Sequence, residues 1–187
     1  MIDSTLSYIH DMTVPVPTAG RSNLIVADLP PNTGPQVFRD WRHFLAFGLG
    51  SGLARIAPGT FGTMVAVLLY FPLSQLSTWA YATCIVAAFG FGVWLCRSVS
   101  RDLGVHDHGG IVWDEFVGYW ITMFLLPANW GWALAGFAMF RLFDIWKPWP
   151  IGWIDKQAHG GLGIMLDDVI AGVIAGLLLH LIRVTIL

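Results

Sequence analysis

Acidic residues in this chain gather at the ends of apolar stretches. Asp114 and Glu115 are adjacent, as are Asp167 and Asp168, and Asp144 stands three residues after Arg141 and three before Lys147. No Asp, Glu, Lys or Arg lies between Arg55 and Arg97, nor between Glu115 and Arg141. Carboxylates held beside apolar segments are costly to keep unless a cation binds them. Their oxygens suit hard ions, and Mg²⁺ commonly binds through one or two carboxylates, waters and substrate phosphate. Acids, basic side chains and a hard ion together serve phosphoryl transfer or hydrolysis. The pattern reads as a membrane enzyme with a metal site at the bilayer edge.

Four segments carry these groups. In GSGLARIAPGTFGT, Gly50 to Thr63, glycines such as Gly59 let the backbone approach a ligand, and Thr60 and Thr63 offer hydroxyls. Either threonine capping the following helix would leave amides for an anion. The segment lacks the Gly-Lys-Ser/Thr of a Walker loop, and a plain turn before a helix is its simpler explanation. VHDHGGIVWDEFVG, Val105 to Gly118, sets His106, Asp107 and His108 before two glycines, then Asp114 and Glu115 at a helix start. Carboxylates are favoured there, but two acids beside two histidines exceed what capping needs.

In RLFDIWKPWP, Arg141 to Pro150, Asp144 is the i,i+3 neighbour of both Arg141 and Lys147, and a plain intrahelical ion pair would account for it. Pro148 makes Lys147 a helix end, which frees its ammonium to reach a phosphate. In HGGLGIMLDDVIAG, His159 to Gly172, glycines loop into a helix that starts at Asp167 and Asp168. Capping explains one of those acids, and a cation explains the second better. Gly172 and Gly176 form a GxxxG helix-packing face.

The elements that must position these groups are helical. Residues 1–38 are polar, Pro-rich and aperiodic, and read as a flexible N-terminal tail, with residues 39–187 as one helical domain. After an entry helix near Phe38, apolar segments run from Met64 to Gln75 and from Trp79 to Cys96. A second pair runs from Phe116 to Leu126 and from Trp132 to Phe143, and a last segment from Val169 to Leu187. Ala, Leu, Gly and Met content and the absence of strand alternation favour helix throughout. The turns near 71–80 and 127–132 carry no Lys or Arg, whereas Arg55, Arg97, Arg101, Arg141, Lys147 and Lys156 sit at the opposite ends. The positive-inside rule then puts every charged cluster on the cytoplasmic side. Arg183 is the exception, accommodated by snorkelling to the other interface.

Composition agrees. The chain is 56% hydrophobic and 12% charged, against about 25% charged in an average soluble domain. A net charge of −2 without a basic run excludes a nucleic-acid partner. Cys84 and Cys96 have no metal or redox spacing and read as buried thiols in a reduced compartment. No signal peptide is visible at the N-terminus.

Taken together, the four segments resemble phosphatidylglycerophosphatase A of bacteria, with similarity from about Trp41 to Leu179. The resemblance implies an all-α fold, a compact helical bundle embedded in or associated with the membrane, with helices around a central one. It also implies an inner-membrane, Mg²⁺-dependent phosphatase acting on phosphatidylglycerophosphate to give phosphatidylglycerol. The family's acidic positions fall on Asp114, Glu115, Asp144, Asp167 and Asp168, and its basic ones on Arg141 and Lys147. On that footing Asp114, Glu115, Asp167 and Asp168 hold Mg²⁺, with Asp144 as a fifth ligand or an outer partner. Arg141 and Lys147, with Gly59, Thr60 and His108, bind the phosphate. Asp114, Glu115, Asp144 and Asp168 are the catalytic candidates, one acid accepting the proton of an attacking water. A covalent route through His106, His108 or an aspartate stays open.

Other phosphate chemistry is excluded by pattern. Neither cysteine is followed by an arginine six residues on, no Asp-x-Asp-x-Thr occurs, and the Asp/Gly/Arg signature of phosphatidyltransferases is missing. A transporter would line a path through the bilayer with its charges, whereas these collect at one face. A structural membrane protein with a cation site would tolerate loss of Asp114 or Asp168 with changes in stability alone.

Overall fold

The computed structural model describes residues 36–105, 108–157 and 160–186. Most of the predicted tail, and His106, Asp107 and His159, lie outside them. Seven α-helices are described: α1 (Trp41–Ala46), α2 (Pro58–Leu73), α3 (Thr78–Leu103), α4 (Trp113–Thr122), α5 (Trp130–Trp146), α6 (Ile151–Gln157) and α7 (Gly160–Ile186). A 3₁₀ segment, Gly48–Leu53, follows α1. No strand occurs among the described residues, and the all-α expectation holds.

Sequence chemistry sets most boundaries. Asp40 caps α1, Ser77 caps α3 and Asn129 caps α5, each accepting a backbone N–H with its side chain. Gly104 ends α3 in the left-handed region, and Lys147 ends α5 there with φ +44°, just before Pro148. Two starts differ from the sequence reading. Helix α2 begins at Pro58, so most of the APGTFGT loop is its first two turns. Proline suits that position because its fixed φ is helical and no donor is lost. Helix α7 begins at Gly160, so Asp167 and Asp168 stand two turns inside it and are not capping residues. Gly161 makes this possible. A Cβ there would lie 2.0 Å from the Val93 carbonyl oxygen, so its absence lets α7 pack directly on α3.

Helix α4 is the central one, packed by α2, α3, α5 and α7. Side-chain hydrogen bonds to backbone carbonyls tie it to each neighbour. Trp120 Nε1 donates to Ala66 on α2 (3.1 Å), and Trp113 Nε1 to Ala88 on α3 (3.1 Å). Tyr119 donates to Ala133 on α5 (3.0 Å), and Thr122 lies 3.3 Å from Gly172 on α7. Tyr81 of α3 donates back to the Trp120 carbonyl (2.8 Å). In an apolar interior such bonds satisfy the polar ends of large aromatic side chains. The GxxxG face packs within the chain: Gly172 meets the backbone of Gly118, and Gly176 that of Thr122.

Helices α3 and α7 are long and apolar enough to cross a membrane, and only 22% of the apolar window of α3 is buried within the protein. Exposed tryptophans stand at the start of α3 (Trp79) and about four turns along it (Trp94), and at both ends of α5 (Trp130, Trp146). At 1.5 Å per residue those pairs are about 22 and 24 Å apart. Arg183 donates to the Leu125 carbonyl (3.0 Å) and His180 meets that of Phe124 (2.9 Å), so α7 caps the irregular end of α4. At the other end Arg42 bridges Asp40 (2.6 Å) and Asp102 (2.9 Å) and donates to Ser98 (2.6 Å), fastening α1 to α3. Val37 is buried in the core beside this joint.

Candidate active site

Three helices bring three carboxylates to one point. Glu115 sits in the first turn of α4, Asp144 in the last turn of α5 and Asp168 within α7. One carboxylate oxygen from each lies within 4.8 Å of the others. Asp168 is buried, and its Oδ2 has no hydrogen-bond partner among the described residues. A buried carboxylate oxygen without a donor is expensive, and a cation is the partner it lacks.

Arg141 stands against this trio. Its Nη1 binds Glu115 Oε1 and, one turn on, Asp144 Oδ2 at 2.8 Å. Its Nε is buried and has no partner among the described residues. Three carboxylates and one guanidinium leave a formal excess of two negative charges, which one divalent ion balances. An all-oxygen donor set of this kind suits Mg²⁺ or another hard cation.

Helix α2 closes the site from the side. Thr63 is fully buried, and its hydroxyl lies 2.9 Å from Glu115 Oε2 and 2.9 Å from the Gly59 carbonyl. A Cβ on Gly59 would sit 2.1 Å from Glu115 Oε1 and 3.0 Å from Arg141 Nη1, so only glycine leaves room for this carboxylate and guanidinium. Glu115 lies outside the two candidate spans. Burial, then the charge of Asp144, pushes its carboxyl up from 4.5 to about 7, against the pull of Arg141 and Thr63.

The remaining sequence candidates take other places. Asp114 is half-buried and accepts the Glu115 amide at Oδ1 (3.0 Å), outside the trio. Asp167 is buried and pairs with Lys147 Nζ at 2.7 Å, so the lysine at the end of α5 reaches across to α7. Thr60 is half-buried in the first turn of α2, its amide bonded to the Ala57 carbonyl (2.9 Å). His108 accepts the Gly110 amide at Nδ1 (3.0 Å) and tilts against Phe47 (5.4 Å between ring centroids). That places it in the loop packed on the 3₁₀ segment.

Thr63 entered the sequence reading as a hydroxyl of the Gly-rich loop and a possible helix cap, not as the partner of Glu115. The Gly59-to-Thr63 spacing, one helical turn, would have put both on the face of α2 that meets Glu115. A second cluster, Asp40, His43 and Asp102, also has ligand atoms within 4.8 Å of one another. Arg42 already binds both of its carboxylates, and the group joins helices.

Comparison with known proteins bears on this arrangement. The family described as phosphatidylglycerophosphatase A matches residues 44–183. A protein named phosphatidylglycerophosphatase A from Escherichia coli (strain K12) is 50% identical over 141 residues, covering 75% of this chain and 82% of its own. One of the same name from Haemophilus influenzae is 47% identical, covering 71% and 83%. A Bacteroides thetaiotaomicron protein, named as a putative phosphatidylinositol-3-phosphatase, is 38% identical, covering 73% and 89%. No solved structure matches the chain.

Proposed function

The chain belongs to the phosphatidylglycerophosphatase A family and is a phosphatase; from that premise we propose that it hydrolyses phosphatidylglycerophosphate to phosphatidylglycerol and inorganic phosphate, with Mg²⁺ at Glu115, Asp144 and Asp168. The observation that carries the reading is the trio itself, three carboxylates converging within 4.8 Å around a buried oxygen that lacks a donor. When bound, the ion supplies positive charge and Lewis acidity at the phosphate.

The chain's own residues do the rest. Thr63 fixes Glu115, and Glu115 with Asp144 holds the Arg141 guanidinium in place. The free Nε–H of Arg141 then donates to a phosphate oxygen as charge builds in the transition state. No side chain caps α2; the Thr60 amide is taken by the Ala57 carbonyl, and the Gly59 amide before it is left to an anion. Lys147, held by Asp167, adds positive charge at the rim. Asp114, next to Glu115 but outside the trio, takes the proton of the attacking water.

The substrate reading draws on the names of the relatives, all of which denote phosphatases of lipid headgroups. The chain sits in the bacterial inner membrane, with the tryptophan pairs of α3 and α5 at the two interfaces and the site on the cytoplasmic side. Supporting this, Arg97, Arg101, Arg141 and Lys147 belong to the end that holds the trio. The test is phosphate release from phosphatidylglycerophosphate and from phosphatidylinositol 3-phosphate in detergent, with Mg²⁺ or EDTA. Mg²⁺-dependent release from the first is expected. Release from the second alone overturns the substrate, and full activity in EDTA overturns the ion.

A further inference from the structure

Along the outer face of α5 the side chains of Ala135 and Ala138 are small, while Trp132 and Leu142 stand up at either end. Leu179 and Ile182 of α7 complete a groove of about 490 Å³. Its lining is almost wholly apolar. We propose that this groove holds an acyl chain of the lipid substrate; the inference rests on the phosphatase reading above.

Three features select that occupant. The first is length: Trp132 to Leu142 is about 15 Å of helix, comparable with the length of one acyl chain, half of a hydrocarbon core about 30 Å thick. The second is continuity with the site. Leu142 directly follows Arg141 and lies within a turn of Asp144, so one end of the groove reaches the level of the trio. The third is the charge profile. Arg141 and Asp144 adjoin that end beside the trio, the lining itself carries no charge, and at the far end Arg183 follows Ile182 with its guanidinium bonded to the Leu125 carbonyl. A phospholipid matches both halves, its phosphates at the charged end and its chain along the apolar length. A second protein helix would match only the apolar half.

The groove therefore acts as a ruler for chain length and holds the headgroup in register with Arg141. Ala138 is the position to test, because it is exposed and lies on the groove floor. Leu134 is also exposed on α5 but does not line the groove, which makes it the control.

The experiment uses the full chain in detergent. Its probe is phosphatidylglycerol with a photoreactive diazirine at the end of an acyl chain. Wild type should be labelled within residues 129–142. Ala138→Phe, which fills the floor, should lose most of that labelling, and Leu134→Phe should keep it. In parallel, kcat/KM for long-chain relative to short-chain phosphatidylglycerophosphate should fall about tenfold in Ala138→Phe, through KM. Equal labelling of wild type and Ala138→Phe, or an unchanged chain-length ratio, overturns the proposal. Loss of a dimer in place of lipid labelling would assign the groove to a second copy and overturn it as well. Labelling needs no turnover, so a labelled but inactive wild type would sink the phosphatase reading and leave the groove standing.

Discussion

Glu115 carries a pH dependence that a divalent ion should reverse. In the metal-free protein burial, then the charge of Asp144, raises its carboxyl from 4.5 to about 7. Between those two values the folded chain keeps a proton that the unfolded chain has released. The stability this proton contributes is fully present below about pH 4.5 and is lost as the pH climbs to about 7. At about 1.4 kcal/mol per pH unit the loss comes to about 3 kcal/mol. Glu115→Gln has no proton to lose at this position. The quantity to measure is therefore the stability of wild type minus that of the variant, followed by tryptophan fluorescence during unfolding in detergent with EDTA. It should fall across the interval and level off above it. Mg²⁺ binds the ionised form, so its stabilisation of wild type should grow over the same interval and be weaker in the variant. A difference that rises with pH would refute the reasoning, since Glu115 would then be ionised and favoured without metal. An equal Mg²⁺ effect in both proteins would remove Glu115 from the ion's site.

Three substitutions probe the surroundings of the trio. Thr63→Val removes the hydroxyl 2.9 Å from Glu115, and a bond to a charged group is worth about 1.5–3 kcal/mol. Mg²⁺ titrations of activity should show weaker apparent affinity by about tenfold or more, and Thr63→Ser should recover it. Gly59→Ala puts a methyl 2.1 Å from Glu115 Oε1, so kcat should fall by about a hundredfold because the reacting groups are displaced. Its melting temperature should move far less than its rate. Lys147→Met removes the ammonium 2.7 Å from buried Asp167 and should cost about 1–3 kcal/mol. Asp167→Asn in the same chain should return part of that, which a double-mutant cycle of unfolding free energies measures.

Much of the fold was legible because the apolar segments and their breaks are strong signals. Asn129 and Pro148 mark helix ends by local chemistry, and the structure starts α5 directly after the first and ends it just before the second; the apolar run read as far as Leu126 stops being helix at Thr122. The starts of α2 and α7 were not legible, because their glycines resemble loop residues. They are there for close approach: Gly59 to Glu115, Gly62 to Val112 and Gly161 to Val93. That is tertiary information, absent from local composition. The acids themselves stood out by their scarcity. Which member of each adjacent pair joins the trio depends on how α4 and α7 are rotated about their axes. Glu115 and Asp168 turn inward together with Asp144, while Asp167 meets Lys147. Arg141 was found through its i,i+3 spacing to Asp144. The pairing of Thr63 was missed because its partner lies 52 residues away.

The central claim is that Glu115, Asp144 and Asp168 hold a divalent ion. The most direct test is a titration with Mn²⁺ as a paramagnetic stand-in for Mg²⁺, read by electron paramagnetic resonance on the full chain and on Asp168→Asn. Unfolding of both proteins is recorded alongside. Wild type should bind Mn²⁺ saturably and release it to excess Mg²⁺. The variant should stay folded and lose that binding together with phosphatase activity. Undiminished Mn²⁺ binding by a folded Asp168→Asn protein would contradict the account.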